Sequence, residues 1–147
     1  MAFSKKIMIA VDGPSASGKG TIAARLASEL NLAHMDTGAI YRLVGKNMLA
    51  AGLDPQDEGA ATTTAKALQK TFTTDMLKDN SLKSDEVGQA ASKAAQWQGV
   101  RDALFKLQVS FAHNPPANKD GTILDGRDIG TPIAPDADVK LYITAKM

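Results

Sequence analysis

Ile7-Met8-Ile9-Ala10-Val11-Asp12-Gly13-Pro14-Ser15-Ala16-Ser17-Gly18-Lys19-Gly20-Thr21 is the stretch that decides the fold of this chain. Five apolar residues without alternation read as a strand buried on both faces, the pattern of a parallel sheet. Asp12-Gly13-Pro14 ends it. From Gly18 onward Ile22, Ala23, Leu26, Ala27 and Leu30 recur at helical spacing, with Asn31 as a C-terminal stop. A glycine-rich loop between a strand and a helix start turns its backbone N–H groups inward and adds the helix dipole, a combination suited to phosphate oxygens. Lys19 then reaches the outer phosphates as a point charge. The candidate phosphate-binding residues are therefore Gly13, Pro14, Ser15, Ala16, Ser17, Gly18, Lys19, Gly20 and Thr21. Glycine follows Lys19 where such loops usually place Ser or Thr, and the hydroxyl comes one place later, at Thr21.

Outward from the loop, residues 32–35 read as a second strand ending at Asp36-Thr37, with Thr37 placed to cap a helix over 39–51 that Gly52 stops. From Pro55 the character changes. Residues 57–70 are rich in Ala and Thr, a short strand is expected over 71–77, and Lys78-Asp79-Asn80-Ser81 is a polar turn. Ser84 caps a small-residue helix running to Gln96, and Val100, Leu104, Leu107 and Phe111 mark one face of another that ends near Asn114. Pro115 and Pro116 forbid its continuation. Residues 122–125 and 139–143 read as two more strands, separated by Gly126, Gly130, Pro132 and Pro135. Strands alternating with helices make the class α/β with a parallel sheet. The expected organisation is a core of residues 1–54 and 115–147 with a mostly helical insertion over 55–114.

Composition narrows what the site can hold. The chain has 147 residues, 44% hydrophobic and 22% charged, with 12 Gly. Those values exclude collagen-like, coiled-coil and wholly disordered classes. Lys+Arg 17 against Asp+Glu 16 leaves a formal charge of +1, which argues against a general nucleic-acid or anionic-membrane binder. Any anion site must be local. With no Cys and two distant His (His34 and His113), disulfides, a thiolate nucleophile and a zinc site drop out, and a metal would be held by oxygens. The run 7–11 is too short for a signal-peptide core, so a cytoplasmic monomer is the expectation.

The four arginines are Arg25, Arg42, Arg101 and Arg127. A planar guanidinium holds phosphate bidentately, and Arg127 follows Asp125-Gly126 at the carboxyl end of a strand, where ligands bind in open α/β sheets. Arg25 falls on the outer face of the loop's helix and reads as a surface residue. Asp36 and Asp125 end strands near the loop and are candidates for orienting magnesium through water, although Asp36 equally suits holding the loop. His34 reads as strand packing, His113 as a helix-end residue near the C-terminal dipole, and Trp97 and the methionines as core.

The Gly-Lys-Gly-Thr form at 18–21 is similar to the nucleoside monophosphate kinases. Met35-Asp36-Thr37-Gly38-Ala39-Ile40-Tyr41-Arg42, Ala90-Ala91-Ser92, Val100-Arg101-Asp102-Ala103-Leu104 and Leu124-Asp125-Gly126-Arg127-Asp128-Ile129-Gly130-Thr131 resemble bacterial cytidylate kinases, in order and from Lys6 to about Ala145. The resemblance implies a P-loop core with an acceptor-binding insertion, and transfer of the γ-phosphate of ATP to CMP or dCMP with Mg2+. It implies that Lys19 and Arg127 are catalytic and that Arg42 and Arg127 grip the acceptor phosphate. Ser92, Arg101 and Asp128 would read the cytosine edge, and Thr37 would belong to the same CMP site. A carboxylate with an arginine and a hydroxyl matches cytosine's amino donor and its two acceptors, whereas uracil would set a carbonyl against the carboxylate. Two departures stand out. The family carries a small antiparallel sheet between the equivalents of Leu68 and Val87, where this chain has room for little more than one strand. Beyond Thr144-Ala145-Lys146-Met147 the family continues into an arginine-rich lid, a final strand and a final helix, so little turnover and an unpaired apolar edge are expected of the chain as it stands. An adenylate- or shikimate-kinase-like enzyme and a noncatalytic nucleotide-binding module are the alternative readings.

Overall fold

The computed structural model describes residues 6–14, 17–127 and 129–144. Ser15, Ala16 and Asp128 of the candidate set lie outside the described residues, as does the chain from 145. In order, the elements are β1 (Ile7–Asp12), α1 (Lys19–Leu30), β2 (Ala33–Asp36), α2 (Thr37–Ala50), α3 (Glu58–Thr71), α4 (Asp85–Ala94), α5 (Gln98–His113), β3 (Gly121–Gly126) and β4 (Val139–Tyr142). They form two units, Met1–Asp36 with Gln108–Met147, and Thr37–Leu107.

The first unit is the α/β part. Its four strands stand in the order β2-β3-β1-β4, and every pairing is parallel. The two central strands carry the unbroken apolar runs: Ile9, Ala10 and Val11 are buried on β1, and all six residues of β3 are buried. Helix α1 lays Ala23, Leu26 and Ala27 against Ile9, Val11, Leu32 and Ile123. Burial of each large aliphatic chain there contributes on the order of 1.5–3 kcal/mol. Asn31 ends the helix in the left-handed conformation (φ 56°, ψ 53°), its N–H bonded to the Ala27 carbonyl. Because all strands run the same way, Asp12, Asp36, Gly126 and Tyr142 reach the same edge of the sheet, the edge at which Gly13, Asp36 and Arg127 of the candidate set fall. Between β3 and β4 the chain makes one turn of π-helix, Ile129–Ile133, closed by Ala134 N–H to the Ile129 carbonyl at 2.7 Å. Among the described residues β4 is paired on one side only, with Val139 and Tyr142 exposed.

The second unit is helical. α2 buries Ile40, Leu43, Val44 and Met48, and α4 buries Val87, Ala90, Ala91 and Ala94. The two helices touch backbone to backbone at Gly45, where a Cβ would sit 2.7 Å from Ala91 N and 2.9 Å from the Val87 carbonyl oxygen. Asp57 caps α3 by accepting from Ala60 N at 3.1 Å. Ser84 caps α4 by accepting from Val87 N at 3.2 Å, as the sequence pattern indicates.

Two details differ from the sequence reading. The strand expected over 71–77 is a turn of 3₁₀-helix, Thr74–Lys78, followed by another, Asn80–Lys83. Asp79 accepts from Ser81 N at 2.9 Å and pairs with Lys46, so side-chain bonds hold the segment in turns that a strand would have to break. Helix α2 begins at Thr37, two residues early. The last turns of α5 are tied to β3 by the buried bond from Thr122 Oγ1 to the Ala112 carbonyl, 2.8 Å. Among the described residues no helix is long and apolar enough to cross a membrane.

Candidate active site

In the first unit the loop after β1 is built to receive an anion. Gly13 N–H bonds the Gly126 carbonyl at 3.2 Å, so the loop leaves β1 beside the end of β3. Gly18 sits at φ 88°, ψ 5°, a left-handed conformation that disfavours residues with a Cβ, and it stands at the N-cap of α1 with no side-chain cap. The first helical bond is Ile22 N to the Gly18 carbonyl, 3.1 Å. Helix geometry therefore leaves the N–H groups of Lys19, Gly20 and Thr21 without intrahelical acceptors, and the first turn holds no acid to satisfy them. Lys19 Nζ folds back to the Pro14 carbonyl at 3.1 Å. The Ser17 hydroxyl is buried with no hydrogen-bond partner among the described residues, and a phosphate oxygen would supply one.

Arg127 shares a concavity of about 480 Å³ with Asp12, Gly13, Pro14, Thr131 and Tyr142. The candidate arginine at the end of β3 and the start of the loop thus face one space. The sequence reading passed over Asp12, taking it as a strand terminator. Its carboxylate accepts the backbone N–H groups of Ile129 at 2.5 Å and Gly130 at 3.0 Å. The only signal for it was an acid at the last position of a buried strand.

Asp36 and Asp125 are register partners at the ends of β2 and β3, but their surroundings separate them. Asp125 is 2% exposed, and its Oδ2 lies 2.5 Å from His34 Nε2. His34 is therefore more than strand packing: it is the polar partner of a buried acid, and that carboxylate has little room for a hydrated cation. Asp36 is exposed and suits a magnesium ion held mainly through water. No group of three His, Cys, Asp or Glu capable of holding a metal occurs among the described residues.

The second unit has its own concavity, about 600 Å³, in which Arg42, Lys83 and Lys93 outnumber a single acid, Asp85, beside Ser92 and Gln89. Arg42 Nη1 donates to the Leu82 carbonyl at 2.7 Å, which sets its direction. Its guanidinium lies across Gly88, where a Cβ would come within 3.1 Å of Nη1. Arg101 does not line this space. Its Nη1 donates to the carbonyls of Ala95 and Gln96, both at 2.7 Å, and its Nη2 to Gln98 Oε1 at 2.7 Å, tying the end of α4 to the start of α5. Thr37 is buried at the start of α2. Half-burial raises the Tyr41 hydroxyl pKa, an effect that the Arg101 charge opposes. Arg25 is exposed and pairs with Glu29 at 3.7 Å, the surface role read for it.

A family model described as cytidylate kinase matches residues 9–147. Curated proteins named cytidylate kinase are similar over nearly the whole chain. The one from Paramagnetospirillum magneticum is 51% identical over 140 residues, covering 95% of this chain and 64% of that protein. The one from Rhodospirillum rubrum is 47% identical over 141 residues, covering 96% and 64%. The one from Afipia carboxidovorans is 48% identical over 139 residues, covering 95% and 63%. The chain thus spans about 64% of the length of the first of these relatives.

Proposed function

The chain belongs to the cytidylate kinase family, and we propose that this protein transfers the γ-phosphate of ATP to CMP or dCMP, giving ADP and CDP or dCDP. The observation that carries the reading is Arg127 lining the same concavity as Gly13 and Pro14: a bidentate phosphate ligand beside a triphosphate-binding loop suits an acceptor that is itself a phosphate. The N–H groups at the start of α1, the Ser17 hydroxyl and Lys19 take the donor phosphates. Arg42 and Arg127 take the acceptor phosphate. Ser92, Arg101 and Asp128 read the cytosine edge, which requires Arg101 to exchange its bonds to the Ala95 and Gln96 carbonyls for ligand, and Thr37 stands with that set. Asp36 would hold magnesium through water, and the ion would supply neutralisation of phosphate charge.

No protein base is needed. The acceptor's second pKa is near 6, so at neutral pH its oxygen is mostly ionised already. That oxygen forms the new bond to the γ-phosphorus as the bond to the bridging oxygen breaks, and the electron pair leaves on ADP. Lys19 and Arg127 hold the charges in line, which is the main contribution a protein makes to phosphoryl transfer. We place the reaction in the cytoplasm, carried out by a monomer without nucleic-acid or membrane partners. Calorimetric titration with CMP, dCMP, AMP and shikimate, each with ATP and Mg2+ present, tests the reading. CMP and dCMP should bind and the other two should not. Preference for AMP or shikimate would overturn it.

A further inference from the structure

The segment that bears Arg127 is held on both flanks by two adjacent residues, Asp12 at the end of β1 and Gly13 at the start of the loop. On one side, Gly13 N–H bonds the Gly126 carbonyl at 3.2 Å. On the other, the Asp12 carboxylate accepts Ile129 N–H through Oδ1 at 2.5 Å and Gly130 N–H through Oδ2 at 3.0 Å. A carboxylate that receives two successive backbone N–H groups binds them about twice as strongly as a neutral acceptor would. The approach depends on Gly130, where a Cβ would sit 3.2 Å from Asp12 Oδ2 and 3.3 Å from Lys140 Cδ. Ile129 is fully buried and closes the π turn onto Ala134 N–H, so the point that Asp12 grips is itself anchored. The Asp12 main chain is fixed as well, its carbonyl accepting Ile143 N–H at 2.8 Å.

From this arrangement we infer that Asp12 is a positioning residue for Arg127: its carboxylate sets where the guanidinium stands relative to the phosphate loop that begins at the next residue. Asp12 and Gly13 form one clamp, and the loop and the arginine share its geometry. The functional consequence rests on the acceptor-phosphate role proposed above for Arg127, whereas the clamp itself does not depend on it.

The test uses Asp12→Asn, which keeps the shape but turns an N–H₂ donor toward one of two N–H donors. Amide exchange at Ile129 and Gly130 and the NMR signal of Arg127 Nε–H read the clamp without ligand. Faster exchange at both amides, together with a shifted or broadened Arg127 signal, is the expected result. Unchanged exchange, or loosened amides with an unaltered Arg127 signal, would overturn the inference. If Asp12→Asn fails to fold, Gly130→Ala, which crowds the same carboxylate, is read in the same way. In binding, Asp12→Asn should weaken CMP by about tenfold and leave cytidine, which lacks the phosphate, unaffected. Combined with Arg127→Ala it should add little further loss, and full additivity in that cycle would also overturn the inference. Failure of the wild-type chain to bind CMP would count against the proposed reaction, with the NMR readouts still deciding the clamp.

Discussion

Among the described residues Lys19 makes one side-chain bond, to the Pro14 carbonyl, from a half-buried position at the first residue of α1. Lys19→Ala should therefore leave the fold intact and lose ATP binding. Titration with ATP checks this, and wild-type affinity in a folded variant would remove the phosphate loop from the account. Ser92 is exposed on α4 beside Arg42, so Ser92→Ala costs the fold little. One neutral hydrogen bond lost to the base should weaken CMP by up to about tenfold and leave ATP unchanged. The reverse pattern would exchange donor and acceptor assignments. At this scale the sequence was informative where chemistry is local. Lys19, Gly18 and Thr21 are read from their spacing because the loop's backbone, and not a distant partner, makes the site. Asp12, His34 and Asp125 were under-read because their partners lie 117, 91 and 91 positions away, a distance that strand and helix periodicity does not span.

At the scale of elements, helices are legible when their ends are chemical. Ser84 announces α4 through its side-chain cap, and Pro115-Pro116 closes off α5. Residues 71–77 read as a strand because three threonines and a phenylalanine favour one on propensity alone. A strand also needs a neighbour, and the Asp79 turn with its Lys46 partner supplies a competing set of bonds. Periodicity likewise shows that α2 has an apolar face without showing what that face meets. The contact with α4 runs through Gly45. Gly45→Ala would gain helix propensity but force a methyl group to within 2.7 Å of Ala91 N. Backbone cannot move aside as a flexible side chain can, so overpacking wins and the variant should lose about 1–3 kcal/mol. Urea unfolding followed by the fluorescence of Trp97, the chain's one tryptophan, measures it. A variant as stable as the wild type would show that α2 can shift on α4 at no cost.

Across the whole molecule, a formal charge of +1 leaves little net self-repulsion near neutrality, so pH dependence should come from specific groups, one set in each unit. In the first unit His113 Nδ1 faces the Val109 carbonyl at 2.9 Å and Nε2 faces Asp136 Oδ2 at 2.9 Å. Two acceptors ask for two N–H donors, and the imidazole pKa is accordingly raised above its usual 6.5, first by the Val109 carbonyl and then by Asp136. His113 in turn lowers the Asp136 pKa from its usual 3.8. A raised base contributes stability that is complete below 6.5 and fades as pH rises through the folded value. A lowered acid contributes above 3.8 and fades as pH falls through its folded value. In the second unit Asp79 is held down to about 2 by its hydrogen bonds from Lys46 and then Ser81, so its contribution is lost only as pH falls from 3.8 through that value. His113→Gln should therefore differ most from wild type in stability at about pH 5 and converge with it by about pH 9, whereas Asp79→Asn should differ at both and converge only in strong acid. All three groups are partly exposed, so added salt should shrink both differences. Denaturant unfolding of the three proteins at these pH values decides it; a His113→Gln difference that persists unchanged to high pH would show that the imidazole contributes by packing and not by its second proton.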